Sequence, residues 1–172
     1  MVFERGLPCF GSCNGLQLAA VLLGGRIKTA APEVGIARNI TLTDAGKVHP
    51  MMKGRRPVFS APTVHADQVA ELPDGAEHLA YNEHTRFQAF AYEANGVNFW
   101  GVEYHPELSI RSIGEYIDAN RKKFDGYLQL IDDLLHAQSS GSAAARLGSA
   151  IDELARPTRT LELQNWLSLV KG

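Results

Sequence analysis

A cysteine with glycine two residues away on each side, Gly11-Ser12-Cys13-Asn14-Gly15, constrains this chain more than any other feature. Residues 7–11 form a short apolar run introduced by Gly-Leu-Pro, which reads as a buried strand. Residues 15–24 are rich in helix formers and stop at Gly24-Gly25, a pair suited to a C-terminal cap. A chain that passes from strand to helix so abruptly has to turn sharply, and glycine on both sides leaves room for that turn. This is the logic of a nucleophile elbow, with sulfur where Gly-x-Ser-x-Gly hydrolases carry oxygen. The turn aims the side chain out of the sheet, and the dipole of the following helix favours a thiolate. The backbone N–H of Asn14 is then free for a developing oxyanion. The competing reading makes Cys13 a small core hydrophobe beside a glycine turn, since free cysteine is often buried. Cys9, inside the strand, reads as core.

A second cluster, Gly101-Val102-Glu103-Tyr104-His105-Pro106-Glu107, closes the last expected strand. In extended backbone, residues two apart face the same side, with Cα atoms roughly 6.5–7 Å apart. A carboxylate at Glu107 can therefore hold one ring nitrogen of His105 and leave the other for a thiol, a base with its orienting partner. Pro106 stiffens the pair by fixing its own φ. The plainer reading gives Glu107 a place at a helix start and leaves His105 as a surface ring.

Between these clusters the pattern is mostly β. Strands are expected at 26–30 and 34–42 with Pro32 between them, at 57–61 before a polar segment 63–68, and at 78–82, 87–93 and 97–104. The turn Ala94-Asn95-Gly96 makes the last two a hairpin. Asp44-Ala45-Gly46 is turn-like, and residues 49–53 suit a single helical turn. From Ser109, a good N-cap, apolar residues recur at steps of three, four and seven to Leu135, marking one face of a long helix or two abutting ones. Ser139-Ser140-Gly141-Ser142 is a break, and helices follow at 143–155 and 160–170, separated by Pro157. Strand–helix, then strands, then helices implies an α/β sheet with helices packed against it.

The chain's 172 residues suffice for one domain with a core. Of these, 45% are hydrophobic and 21% charged, a soluble globular profile, and a net charge of −2 gives no basic footprint for nucleic acid. No apolar run approaches the roughly 20 residues that span a bilayer. The first residues lack the order of a secretion signal, which makes a cytoplasmic protein the expectation. Two cysteines four apart build neither a disulfide framework nor a Cys-rich metal site. His65 and Asp67 together with His105 and Glu107 have no metal-ligand spacing. His49, His78, His84 and His136 have no convergent partners and read as solvated.

Taken together, the residues resemble a known family. The run from Pro8 to Gln17, with Gly24-Gly25 closing the helix, resembles the nucleophile segment of class I glutamine amidotransferases, and residues 101–107 resemble their histidine–glutamate signature. His65-Ala66-Asp67-Gln68-Val69 resembles the segment lining their glutamine pocket, and Glu33-Val34-Gly35 falls where the family often has a similar pair. The resemblance spans about residues 6–124 and implies a flavodoxin-like layered sheet: residues 1–136 as the catalytic domain and 137–172 as its C-terminal helical extension. It implies that Cys13 attacks the side-chain amide of glutamine, His105 shuttles the proton and Glu107 orients the ring. Asn14 and Gln17 would hold substrate, and the backbone of Val64, His65 and Ala66 would meet its amino-acid end. No cofactor or metal is implied. Glutamine is the implied substrate, with a synthase or synthetase partner receiving ammonia; a homodimer through the C-terminal helices is a further expectation, and no nucleic acid or membrane partner is expected. The glutaminase part of GMP synthase, or a stand-alone relative, is the nearest flavour.

Three departures qualify the resemblance. The family usually has glycine at the place of Ala66, where a methyl group crowds the substrate's backbone end. It commonly has an apolar or aromatic residue at the place of Asn14. It also carries strands ahead of the nucleophile strand, including a glycine loop with a second oxyanion donor; only a few residues precede the strand here, so the expectation is an N-terminally truncated version or one with half the hole. Loss of one donor costs about 10²–10³ in kcat. The alternatives to a glutamine-hydrolysing enzyme are therefore a γ-glutamyl peptide hydrolase using the same triad and an impaired binding or regulatory module.

Overall fold

The computed structural model describes residues 3–171. Strand β1 (Cys9–Ser12) runs into helix α1 (Asn14–Leu22) through a single residue, Cys13. Gly24, at φ 98°, ends the helix, and the Gly25 N–H donates back to the Ala20 carbonyl at 2.7 Å. Then follow β2 (Arg26–Leu42), the short α2 (Asp44–Val48), a 3-10 turn Pro50–Met52, β3 (Val58–Glu71), β4 (Glu77–Tyr81), β5 (Ala89–Ala94) and β6 (Val97–Val102). Beyond them lie α3 (Ile110–Ala119), a 3-10 segment Asp125–Leu130, α4 (Ile131–His136), α5 (Gly141–Arg146), α6 (Ile151–Leu154), α7 (Arg156–Arg159) and α8 (Leu161–Lys171).

Among the described residues, six strands form one sheet in the order β1-β6-β5-β4-β2-β3. The α/β class read from the sequence is the one observed. Only the β1–β6 pair is parallel, with Ser12 opposite Val102, so the two strands end side by side and their following loops emerge together. The expected hairpin is present: β5 and β6 are antiparallel, and Asn95 (φ 54°) and Gly96 (φ 76°) supply the left-handed turn.

Some expectations change. Residues 26–30 and 34–42 belong to one strand, because Pro32 falls at a register shift between Thr29 and Glu33 where no ladder bond is required of it. The polar stretch 63–68 is also strand, the middle of β3, with His65 opposite Glu33 and Val64 opposite Val34. The turn at Asp44 is a helical turn capped by Thr43, whose hydroxyl accepts from the Gly46 N–H. The periodic stretch after Ser109 is broken: the Asn120 side chain donates to the Tyr116 carbonyl and ends α3 before a 3-10 segment restarts the apolar face. His49 is buried, with its ring edge-on to Trp100 and accepting from the Met51 N–H.

Packing fixes the two pieces that matter. Leu16 and Ala20 of α1 are buried against Phe90 and Phe99, locking the elbow helix on β5 and β6. Ile110, Ile113 and Ile117 of α3 are buried with Leu134 against Val34 and Ile36 of β2. Each such side chain contributes about 1.5–3 kcal/mol. No helix among the described residues is long and apolar enough to cross a membrane.

Candidate active site

Cys13 stands at φ 48°, ψ −109°, a conformation L-residues avoid and one that costs about 1–3 kcal/mol. Its N–H donates to the Val102 carbonyl at 2.8 Å, tying the elbow to the end of β6. Gly11 is required, because a Cβ there would lie 2.7 Å from the backbone carbon of Gly15; a Cβ on Gly15 meets nothing within 4 Å. The expected crowding therefore acts on one side only. Asn14 opens α1 and is exposed, so its N–H is among the first-turn donors that no helical carbonyl can satisfy.

His105 comes off β6 three residues beyond Val102, and its N–H donates to the Pro62 carbonyl of β3 at 2.8 Å. One ring nitrogen, Nδ1, is 2.6 Å from Glu107 Oε1, and Cys13 is near enough to the ring to raise its pKa. Burial alone would lower the pKa of His105, but Cys13 and Glu107 outweigh it and lift the ring to about 9. Glu107 moves the opposite way: burial would raise it, and bonds with His105 and with Ser12 hold it below the usual carboxylate range.

These groups open onto a cleft of about 560 Å³. Cys13 and His105 lie on it together with Val64, His65 and Ala66, while Asn14 and Gln17 are not among its lining residues. Gln17 points inward instead, and its Nε2 donates to the Asp67 carbonyl at 2.7 Å and to Glu103 at 2.6 Å.

The family model described as glutamine amidotransferase class-I matches residues 1–122. The chain belongs to the class I glutamine amidotransferases. It is 32% identical to a γ-glutamyl-L-1-hydroxyisopropylamide hydrolase of a Pseudomonas species, over 96% of this chain and 61% of that protein. It is 33% identical to a glutamine-hydrolysing GMP synthase subunit of Natronomonas pharaonis, over 68% of this chain and 61% of that one. The chain thus spans about three fifths of the length of these two relatives. A glutamine amidotransferase of Thermotoga maritima has a similar fold, with a TM-score of 0.67 at 18% identity, covering 98% of this chain and 64% of that one.

Behind the cleft lies a buried polar network that, Glu103 apart, no local sequence pattern announces. His65 Nε2 is 3.1 Å from Glu33, which also accepts from Asn82 at 2.7 Å and Gln88 at 2.9 Å. Burial would raise Glu33 and lower His65, but their mutual bond, with help from the neighbouring polar groups, reverses both directions. Glu103, fully buried, is pushed up to about 7 by desolvation against the opposing pull of His65 and Gln17, and its Oε2 has no hydrogen-bond partner among the described residues. The signal for Glu103 was its place in an outwardly apolar strand, where a carboxylate needs a reason.

Arg159 is a further residue that sequence reasoning missed. It comes from α7, outside the matched residues, and is buried, with Nη1 donating to the carbonyls of Pro106 (2.5 Å) and Leu108 (2.8 Å) on either side of Glu107. Nearby, Tyr104 donates to Glu162 of α8 at 2.7 Å, and Glu162 is held by Arg55 at 2.5 Å. The C-terminal helices therefore grip the residues that alternate with His105 and Glu107.

Proposed function

We propose that the chain hydrolyses the γ-amide of glutamine through a thioester on Cys13. The observation that carries this reading is the strained elbow cysteine lining one cleft with an imidazole whose Nδ1 is 2.6 Å from a carboxylate. His105, which holds the thiol's proton at neutral pH, stays protonated as sulfur attacks the amide carbon, and the developing oxyanion turns to the Asn14 N–H. The C–N bond then breaks, the imidazolium proton leaves with ammonia, and a γ-glutamyl thioester remains. His105 next deprotonates water, which attacks the thioester, releasing glutamate and leaving that proton on the ring. Glu107 keeps the ring's tautomer and orientation through both halves. Val64, His65 and Ala66 border the space where the amino-acid end of the substrate is held.

Ammonia passing to a synthase partner is supported by the likeness to the Natronomonas GMP synthase subunit. A second reading, cleavage of substituted γ-glutamyl amides without an ammonia acceptor, is favoured by the Pseudomonas hydrolase, whose similarity runs over 96% of this chain. The test is stoichiometric release of glutamate and ammonia from glutamine, lost in Cys13→Ser. Equal rates in Cys13→Ser and the parent chain would reject the thioester route.

A further inference from the structure

The cleft continues past the reacting atoms along a mostly apolar surface. On the His105 side its wall is built by Leu108, then by Ser112, Ile113 and Tyr116 on one face of α3, and it is closed by Phe124 and Tyr127. The rings are organised: Tyr116 and Phe124 meet edge to face at 5.5 Å, and the Tyr127 hydroxyl donates to the Pro32 carbonyl at 3.2 Å. Lys123 holds its ammonium 5.2 Å from the centre of the Phe124 ring and 5.9 Å from that of Tyr116. A γ-glutamyl group is charged at its head and needs several polar partners, whereas this wall is mostly apolar, with the Ser112 hydroxyl and the Lys123 ammonium among its few polar groups. About 560 Å³ is a volume for a ligand well above the size of one amino acid.

Chemistry decides which half of a substrate meets the wall. His105 delivers its proton to the departing nitrogen, so any substituent on that nitrogen lies on the His105 side, where the face of α3 begins. We propose that this wall is a leaving-group subsite, and that the chain prefers γ-glutamyl amides whose nitrogen bears an aromatic group. Aromatic faces set edge to face favour a third ring beyond its buried area, and the Lys123 ammonium adds a cation near the rings. The reaction is the hydrolysis already described with R–NH2 in place of ammonia: the C–N bond breaks, the amine leaves with the proton from His105, and water completes the glutamate. The inference rests on the Cys13 thioester chemistry and adds to it a substrate class.

The experiment measures kcat/KM for γ-glutamyl-4-nitroanilide and for glutamine in the parent chain, in Tyr116→Ala and in Tyr116→Phe. The parent is expected to favour the anilide by about tenfold. Tyr116→Ala should lower the anilide-to-glutamine ratio about tenfold, and Tyr116→Phe, which keeps the ring, should preserve it. Tyr116 is 42% exposed, so its truncation removes little from the core. Hydrolysis of glutamine without hydrolysis of the anilide, or a ratio unmoved by Tyr116→Ala, overturns the subsite and leaves the thioester reading standing. Failure with both substrates, and no covalent adduct on Cys13 with a glutamine-like chloroketone, overturns the thioester reading and the subsite with it.

Discussion

Arg159→Met removes the guanidinium that holds the loop between His105 and α3. Two bonds are lost, both from Nη1, to the carbonyls of Pro106 and Leu108. A hydrogen bond from a charged donor contributes about 1.5–3 kcal/mol, and carbonyls left buried without a donor cost about 1–3 kcal/mol. The two bonds share one nitrogen, so their contributions do not add fully. Methionine restores apolar volume and relieves the desolvation that already lowers the pKa of Arg159. The expected net loss is about 2–4 kcal/mol, which for a chain of this length lowers Tm by roughly 5–15 °C. Activity should fall further than stability requires, because His105 and Glu107 sit between the released carbonyls and a shift of about 1 Å at a reacting group costs on the order of 10²-fold. Thermal melts read the first effect, and the rate of Cys13 alkylation by a chloroketone, measured well below Tm, reads the second. Arg159→Lys, with charge but no fork, should fall between. If Arg159→Met melts within 2 °C of the parent (a shift of about 0.5 kcal/mol) and alkylates at the parent rate, the C-terminal grip on the loop is decoration.

Three further outcomes follow from the geometry. Glu107→Gln removes the negative charge that helps lift His105, so the ring should titrate below about 9 in a histidine NMR titration. Because the folded pKa of His105 is raised, its contribution to stability is complete below the ordinary histidine value and disappears as pH climbs through about 9; the variant should lose stability at pH 6 and little at pH 10. Glu103, raised to about 7, carries the opposite cost: the unfolded carboxyl ionises first, so stability falls between the ordinary carboxylate range and pH 7. Glu103→Gln should flatten that slope in melts from pH 4.5 to 8 and raise Tm at pH 8. Gly11→Ala should unfold the elbow or cost about 1–3 kcal/mol through the clash with Gly15, whereas Gly15→Ala, in open space at the helix start, should leave Tm unchanged or slightly raised.

The sequence exposed those features whose cause is local. The elbow was legible because a sharp strand-to-helix turn restricts its own composition, and His105 with Glu107 because they lie two apart, although the structure pairs them across a turn at Pro106–Glu107, beyond the end of β6, and not in extended backbone. The hairpin at Asn95-Gly96 and the cap at Ser109 are local in the same sense. What was not legible depended on distant partners. Residues 63–68 read only as a polar segment after a strand, because only the fold supplies Glu33 and Glu103 to His65. Pro32 read as a strand end, since a register shift between paired strands leaves no mark in either strand alone. The periodic run after Ser109 gave the right buried face and the wrong continuity, as the breaks at Asn120 and in the 3-10 segment keep Ile117, Phe124 and Leu134 on one side. Arg159 had no local signal at all: a lone arginine 53 residues from Pro106 becomes informative only when α7 is seen to dock.

The most direct test of the central claim is intact-mass and peptide analysis after exposure to a chloroketone analogue of glutamine. Both cysteines are candidates on chemistry alone, but burial pushes the Cys9 thiol up and its S–H is given to the Leu7 carbonyl at 3.2 Å. A single adduct, mapped to Cys13, blocked by excess glutamine and slowed at least a hundredfold (about 2.7 kcal/mol) in His105→Ala, is the predicted result. Labelling that falls on Cys9, or that proceeds on Cys13 at the same rate without His105, would contradict it.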